Sequence, residues 1–387
     1  MKKRIYLDYA ATTPTDQRVV EAMLPYFTQE YGNASSLHAL GANAKTTLGN
    51  CRRTIAGFVG AEPEEIIFTS GGTEANNFAL KGIAFANRYR GNHIIVSAIE
   101  HDCVLNTAKW LEDTGFVVSY LPVESDGLVN PEMLQRMINP RTILVSVMHA
   151  NNEIGTIQPL EAIGKICYQR HVYFHSDACQ SFGKIPLNVN ALHIDLLTLN
   201  SHKIYGPKGV GALYVRKGTV VTPLLHGGGQ EYGLRSTTEN LPGIVGFAKA
   251  AELCFAEMEE ERKRQLRLRD KIIYALQEFQ EDAYLNGDPM QRLPGNINFS
   301  FHGLEGETIR LMLLLDEEGI AVSTGSACSN NDKSYNASHV LQAIGRDPFE
   351  ARGAIRLSIG RFTTEEDVDF FLETMKNALF RLHPIFS

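Results

Sequence analysis

Short apolar segments alternate with helical patterns along the first two thirds of the chain. From about residue 60, seven such segments, several of them rich in β-branched residues, cover 66–70, 93–98, 117–123, 142–149, 172–178, 196–200 and 211–216. Several are apolar at both odd and even positions, which is typical of strands that helices cover on both faces. The pattern predicts an α/β fold with a sheet of about seven strands.

The pattern changes after residue 240. A helical periodicity runs from about 240 to 282, and its middle, 257–271, is so strongly charged that we expect one face of this helix to be solvated. Beyond it the sequence predicts a strand at 296–301, a helix around 305–320, a loop rich in Ser, Gly and Asn at 323–336, a strand at 354–360 and a helix from Thr364. These elements indicate a second, smaller α+β domain.

Composition and charge narrow the classes of function. The 387 residues are 44% hydrophobic and 21% charged, as in ordinary globular proteins. The 44 acidic residues outnumber the 37 basic ones, and the net charge of -7 disfavours direct nucleic-acid binding. No apolar run approaches the roughly 20 residues of a membrane span, and none of signal-peptide length follows the basic N-terminus. We therefore expect a cytoplasmic protein with no membrane partner.

The segment 69–74, TSGGTE, leads from a predicted strand through two glycines into a predicted helix. Free amides at the start of a helix, its dipole and the hydroxyl of Thr73 would together form a cup for a phosphate group. The alternative is ordinary N-capping of the helix by Thr73, because Ser and Thr are favoured at that position in any helix.

A second cluster of chemical groups ends the strand at 172–178. Alternation along a strand places His175, Asp177 and Cys179 on one side, so a metal site is one interpretation. Another is a buried, hydrogen-bonded aspartate at a strand end. No second His/Cys cluster with ligand spacing completes a metal shell, so we expect no metal.

Lys203 lies in NSHKIYGPKG (200–209), directly after another predicted strand. A lone lysine in a loop is most often solvated. A lysine held at a strand end is, however, placed to form a Schiff base with a carbonyl cofactor. The phosphate cup, Asp177 and Lys203 supply an anchor, a partner for a pyridine nitrogen and an imine-forming amine, which are parts that pyridoxal phosphate needs.

Six cysteines are spread over the chain without a C-x-x-C pair, which suits a reducing compartment and disfavours a disulfide framework or zinc ribbon. One of them, Cys328, lies in the polar segment STGSACSNND (323–332). The alternative is that Cys328 is buried and inert, as most unpaired cysteines are. Because so polar a segment makes a poor core, we favour an exposed thiol that acts as a nucleophile.

The motifs together resemble the cysteine desulfurases of the NifS/IscS-like type, which are fold type I pyridoxal-phosphate enzymes of the class V aminotransferase group. The matching segments are YLDYAATTP (6–14), YGNASSLH (31–38), FTSGGTEANN (68–77), EHDCV (100–104), MHANNEIGTIQP (148–159), HSDACQ (175–180), SHKIYGPKGVGALYV (201–215), HGGGQEYGLRSTTEN (226–240), STGSACS (323–329) and IRLSIGRFTTEED (355–367). The resemblance covers nearly the whole chain. It implies a large cofactor-binding domain at 15–254, with a seven-stranded, mostly parallel sheet. It also implies a small domain made of 1–14 and 255–387, which carries the cysteine loop at 323–336.

The resemblance also implies roles for residues around the cofactor ring. Lys203 would carry pyridoxal phosphate as a Schiff base, and Asp177 would keep the pyridine nitrogen protonated. Gln180 would hydrogen-bond the phenolic oxygen. His101, in the EHD motif, would stack on the ring and share in proton transfer.

Other residues would bind the phosphate, the substrate and the sulfur. Asn152 would contact the cofactor and, with Arg356, fix the carboxylate of the substrate, while Cys328 would take the sulfur. The phosphate group would be held by Gly72, Thr73, Asn200, Ser201 and His202, with Thr238 reaching across from the neighbouring subunit of a homodimer. Asn200 departs from the family, which usually has a hydroxyl residue there, and Cys179 stands where Thr or Val is usual.

The implied function is conversion of L-cysteine to L-alanine, with the sulfur passed as a persulfide on Cys328 to an acceptor protein. An iron–sulfur scaffold, a tRNA-thiolating enzyme and a cofactor-synthesis protein are the alternatives for that acceptor. Two other functions stay open. One is a different fold type I enzyme, such as a selenocysteine lyase or an aminotransferase, and the other is a metal-dependent hydrolase built on His175, Asp177 and Cys179.

Overall fold

The computed structural model of the chain describes residues 4–279, 283–324 and 337–382. Its strands are β1 (Ile5–Tyr6), β2 (Ile66–Thr69), β3 (His93–Ser97), β4 (Val117–Leu121), β5 (Thr142–Ser146), β6 (Tyr173–Asp177), β7 (Leu196–Asn200), β8 (Gly211–Val215), β9 (Ala283–Leu285), β10 (Asn296–Phe301), β11 (Ile320–Ala321) and β12 (Ala354–Ser358). Its α-helices are α1 (Gln17–Met23), α2 (Pro25–Thr28), α3 (Ala39–Val59), α4 (Gly72–Ala86), α5 (Asp102–Asp113), α6 (Pro131–Met137), α7 (Leu160–Gln169), α8 (Leu241–Phe279), α9 (Thr308–Glu317), α10 (His339–Ala343) and α11 (Glu365–Leu382). None of the helices in these ranges is long and apolar enough to cross a membrane.

The predicted seven-stranded sheet is confirmed. Its strand order is β2-β8-β7-β6-β5-β3-β4, and the pairings from β7 through β4 are parallel. β8 runs antiparallel to both of its neighbours, β2 and β7. Every strand except the edge strand β4 is buried along its length or nearly so, because helices pack on both faces, which explains the apolar residues at both parities.

A smaller α+β unit follows the large sheet, as predicted. β9, β10 and β12 form an antiparallel sheet in the order β12-β10-β9, and β1 pairs in parallel with β11. The apolar faces of these strands pack with α9, α11 and the second half of α8 around a separate core that includes Phe299, Leu311 and Phe371. The N-terminal strand therefore joins an element more than 300 residues away along the chain.

Helix α8 connects the two cores. Its first half contributes Ile244 and Phe247 to the core of the large sheet, and its second half contributes Leu268 and Ile272 to the other core. The charged middle of the helix is exposed, with Arg262 and Lys263 near Glu259, so the predicted solvated face is confirmed. The division of the chain at 14/15 and 254/255 stays a prediction.

Candidate active site

A cavity of about 240 Å³ lies where the chain leaves the carboxyl ends of the parallel strands, as expected for an open α/β sheet. It is reached by residues that follow β3, β5, β6 and β7, by the start of α4 and by β12. Ten predicted site residues line it: Gly72, Thr73, His101, Asn152, Asp177, Gln180, Asn200, His202, Lys203 and Arg356. Ser201 and Thr238 are not among the lining residues, and Cys328 lies outside the described residues.

Lys203 follows β7 by three residues and is only partly exposed. Its Nζ donates to the backbone carbonyl oxygen of Ala11 at 2.7 Å and also to that of Ala10. These carbonyls belong to the N-terminal YLDYAATTP segment, which lies at the cavity because β1 pairs with β11. The amine is therefore oriented by protein atoms, and the interpretation of Lys203 as a solvated loop lysine is wrong.

Asp177 ends β6 with its carboxylate buried beside the cavity. Oδ1 accepts from the backbone N–H of Cys179 at 2.8 Å, and Oδ2 accepts from Nδ2 of Asn76 at 2.6 Å. Asn76 was not among the site residues predicted from the sequence. Its position four residues after Gly72 places both on one face of α4, and this spacing was the signal that could have found it.

A second buried carboxyl group lies near Asp177. Glu100 is fully buried, and its Oε1 accepts from the backbone N–H of Met148 at 2.5 Å. Burial, together with the nearby charge of Asp177, raises the pKa of Glu100 well above its usual value.

The start of α4 is open toward the cavity. The N-cap is Gly71, in an extended conformation with φ of 151° that favours glycine, and no side chain of the described residues caps the first turn. Ordinary capping by Thr73 is therefore wrong for this helix. A Cβ on Gly72 would lie 2.7 Å from Sγ of Cys179, so glycine is required for the close approach of the helix to β6. The uncapped amides are suited to an anion.

His202 and Asn200 also line the cavity. Nδ1 of His202 is hydrogen-bonded to the hydroxyl of Thr12 at 3.0 Å, which leaves Nε2 for a ligand. Burial, reinforced by the positive charge of Lys203, lowers the pKa of His202 to about 4, so the ring is neutral at physiological pH. Asn200 ends β7 with its Nδ2 3.4 Å from the position of a Cβ on Gly72, beside the start of α4.

Two predicted phosphate ligands lie elsewhere. Ser201 is fully buried, and a Cβ on Gly206 would clash with its Oγ, so its hydroxyl packs against that glycine and away from the cavity lining. Its predicted role has no support from this geometry. Thr238 is exposed in the single chain, which is compatible with a contact to a second subunit, and its role also stays a prediction.

His101 is the N-cap residue of α5, where its Nδ1 accepts from the backbone N–H of Cys103 at 3.2 Å. The thiol of Cys103 also lies at the cavity, 3.1 Å from both Nδ1 of His101 and Nδ2 of Asn76. The helix cap holds the imidazole at the cavity wall, where a planar ring could stack against it. Cys103 was not among the site residues predicted from the sequence.

Arg356 projects from the middle of β12, with a side chain only 3% exposed. Its guanidinium donates to Oδ1 of Asp8 at 2.7 Å and to the backbone oxygen of Asn152 at 3.2 Å. Arg356 and Asn152 are therefore neighbours at one wall of the cavity. Both are predicted to bind the carboxylate of the substrate. This wall combines β12 of the small unit with the loop after β5 of the large sheet.

The metal-site alternative gains no support. His175 is buried with Nδ1 hydrogen-bonded to Ser146 at 2.8 Å and Nε2 to Thr198 at 3.1 Å. Burial lowers its pKa to about 4. Across 4–279, 283–324 and 337–382, no group of three or more His, Cys, Asp and Glu side chains is arranged to hold a metal ion.

The donor set fits pyridoxal phosphate. The cavity offers an oriented amine, a buried carboxylate held by Asn76, and uncapped helix amides beside a neutral histidine. These groups correspond to the carbonyl, pyridine nitrogen and phosphate of that cofactor. The buried Oδ1 of Asn76 has no hydrogen-bond partner among the described protein atoms, and Asn76 lines the cavity.

Comparison with known proteins gives matches over the whole chain. The family model Aminotransferase class-V matches residues 5–371. Cysteine desulfurase IscS of Dictyoglomus turgidum is 50% identical over 385 residues, covering 100% of this chain and 97% of the relative. The solved structure of a NifS-like protein superposes with a TM-score of 0.91 at 41% identity, covering 97% of this chain and 99% of the other. That of SspA in complex with cysteine has a TM-score of 0.82 at 38% identity, covering 94% and 100%.

Proposed function

The chain belongs to the class-V aminotransferase family and is a cysteine desulfurase, and we propose that it works with pyridoxal phosphate on Lys203 and passes sulfur through Cys328. The resemblance seen in the motifs is confirmed, and so is the fold that it implied. The family depends on pyridoxal phosphate. The observation that supports this cofactor for the present chain is the meeting of Lys203 and Asp177 at one cavity beside the uncapped start of α4.

The residues of the chain divide the chemistry between them. When bound, pyridoxal phosphate supplies an electron sink for the pair left behind when the Cα proton of the substrate departs. Lys203, which lines the cavity, would accept that proton on Nζ. Asp177 would keep the pyridine nitrogen protonated, and Asn76 orients the carboxylate by donating to its Oδ2.

The sulfur step requires a nucleophile in addition to the cofactor. We propose that the Cys328 thiolate attacks the substrate sulfur. A sulfur–sulfur bond forms as the carbon–sulfur bond breaks, and the electron pair of the broken bond stays with the carbon, which leaves as alanine after gaining a proton. Cys328 then carries the persulfide. Its loop begins next to the cavity, because Ser323 pairs with Arg356 by two backbone hydrogen bonds of 3.2 and 2.7 Å.

The direct test is an assay of purified protein with L-cysteine. We expect alanine and protein-bound sulfane sulfur in equal amounts in the first turnover, from a yellow protein. Transamination would give a keto acid from cysteine without sulfane sulfur. A colourless protein that needs an added divalent metal ion would contradict the proposal and support the hydrolase.

Arg356 is proposed to bind the substrate carboxylate through its planar fork of N–H donors. In Arg356→Lys the charge is kept but the fork is lost, so we expect KM for L-cysteine to rise at least about tenfold, equivalent to about 1.4 kcal/mol. The control is Arg352→Lys, an exposed arginine outside the cavity lining, which should keep KM. An unchanged KM in Arg356→Lys would rule out the carboxylate role.

Two partners are proposed. The enzyme is a homodimer in which Thr238 reaches the cofactor phosphate of the other subunit, which agrees with the exposure of Thr238 in the single chain. The sulfur passes to an acceptor protein, an iron–sulfur scaffold or a tRNA-thiolating enzyme, and incubation of the persulfide form with each would distinguish them. A cytoplasmic location stays a prediction of the sequence.

A further inference from the structure

A second cavity lies behind Lys203. It has a volume of about 50 Å³, enough for water but not for a cofactor, and it shares Ala10, Gln180 and Lys203 with the larger cavity. Its wall also contains Lys184, which follows β6 by seven residues and does not line the larger cavity. Lys203 is thus the boundary between a cavity suited to a cofactor and a small one that holds another lysine.

A chain of hydrogen bonds connects the two lysines. Nζ of Lys184 donates to Oε1 of Gln180 at 3.4 Å, and Nε2 of the same amide donates to the backbone oxygen of Ala10 at 2.9 Å. That oxygen also accepts from Nζ of Lys203. Lys184 therefore has a defined position relative to Lys203, with one side-chain amide and one carbonyl between them.

The carboxylates near this small cavity are engaged by other cations. On α8, Glu257 is paired with Arg18 at 3.0 Å and with Arg361 at 2.9 Å, and Glu261 is paired with Arg264 at 2.6 Å. From β12, Arg356 is paired with Asp8. The other cation of the wall, Arg262, lies on α8 beside Glu259. None of these carboxylates forms an ion pair with Lys184 within the described part of the chain.

The cysteines and tyrosines that line the small cavity or act on Lys184 are neutral at physiological pH, and so is His202, on which the charge of Lys184 also acts. Burial raises the pKa of Cys254 to about 11 and raises that of Cys179 well above its usual value. Burial likewise raises the pKa values of Tyr9 and Tyr205. The charge of Lys184 is consequently not neutralised on this side of Lys203.

Charge repulsion between the two lysines acts in both directions. Burial, with the charge of Lys203 as the next cause, lowers the pKa of Lys184 to about 8. Below that pH, Lys184 is a cation, and a cation at this place disfavours a positive charge on the Lys203 nitrogen. A lysine beside another cationic group is a known means of obtaining an uncharged, reactive amine.

We propose that Lys184 is a positioning residue for the desulfurase reaction, whose ammonium group, held behind Lys203 by Gln180, favours the uncharged form of the Lys203 nitrogen. This is the form that accepts the Cα proton. Lys184 acts through Lys203 and does not reach the substrate. The inference rests on the proposed function, in which Lys203 carries the cofactor.

The test is a pH titration of the visible absorbance of the substrate-free holoenzyme, which follows the proton on the Lys203 nitrogen. Removing the cation in Lys184→Met or Lys184→Gln should raise the midpoint by about one pH unit, because a positive charge on Lys203 is then less disfavoured. Lys184→Arg keeps the cation and should keep the parent midpoint. The acidic limb of the kcat profile should move in the same direction as the spectral midpoint.

The variants separate charge from hydrogen bonding. Lys184→Gln can still donate to Gln180. The role of charge would be overturned if the midpoint shifted in Lys184→Met but kept the parent value in Lys184→Gln. It would also be overturned if the midpoint did not shift in Lys184→Met. If Lys184→Met does not fold, the Gln and Arg variants decide. Lys208→Met removes an exposed lysine that lines neither cavity and should leave the midpoint unchanged.

The two proposals fail in different ways. A parent protein without cofactor absorbance, or with the cofactor attached to another lysine, would contradict the proposed function. A cofactor on Lys203 with the same titration midpoint in Lys184→Met and Lys184→Gln would contradict only the role of Lys184.

Discussion

Lys203→Ala is expected to lower alanine formation from L-cysteine at least about a thousandfold, since it removes both the attachment of the cofactor and the group that moves the Cα proton. The structure gives the physical basis, because Nζ is held at the cavity by the carbonyl oxygens of Ala10 and Ala11. The measurement is initial rate, together with the visible absorbance of the purified variant.

The matched control for this variant is Lys208→Ala, five residues along the same loop. Lys208 is exposed and outside the cavity lining, so its loss should change the rate less than about twofold. Borohydride reduction of the parent followed by peptide mapping should locate the cofactor on Lys203. A label on Lys208, or a Lys203→Ala enzyme with more than a tenth of the parent rate, would contradict the assignment.

Cys328→Ala is expected to reduce alanine formation from L-cysteine at least about a hundredfold and to carry no persulfide, because the attacking thiolate is gone. The variant should keep its yellow colour and still change its spectrum when L-cysteine is added, since Lys203 and Asp177 are untouched. Selenocysteine turnover should fall less, because its carbon–selenium bond is weaker and the selenium is a better leaving group. Mass spectrometry of the intact protein and of its cysteine peptides measures the persulfide.

Cys51→Ala is the control for this experiment. Cys51 is buried on α3, and burial raises the pKa of its thiol to about 12, so it is not a thiolate at neutral pH. Its replacement should leave the persulfide on Cys328. Release of alanine and sulfide by Cys328→Ala at the parent rate would remove Cys328 from the mechanism and favour the selenocysteine lyase alternative.

The strands could be predicted because burial leaves a local signature. Residues of β5 and β7 are apolar on both faces since helices cover both, and this is visible in a window of five residues. The charged face of α8 is visible in the same way. In contrast, β1 and β11 are two-residue strands, too short to show a periodicity in the sequence. Their pairing, which brings the N-terminal segment to the cavity, could therefore not be predicted.

Most of the candidate site could also be predicted, because it is built from motifs that end strands or begin helices. Lys203, Asp177 and His101 each lie within a few residues of such an end, and the family resemblance supplied their roles. Ser201 shows the limit of this reasoning. It is adjacent to His202 along the chain, yet its hydroxyl packs against Gly206, because successive residues in a turn point in different directions.

By itself, the sequence determined the α/β fold, the seven-stranded sheet and the lysine, aspartate and glycine-rich segments that define the family. These follow from local patterns of burial and from residue order. Only the tertiary structure decided that the carbonyl of Ala10 lies between Gln180 and Lys203, and that Lys184 lies behind them. The reason is that a hydrogen bond to a backbone carbonyl leaves no pattern in the sequence. The effect of a lysine's charge depends on distances in space, and these are determined by the strand order and by the position of the N-terminal segment.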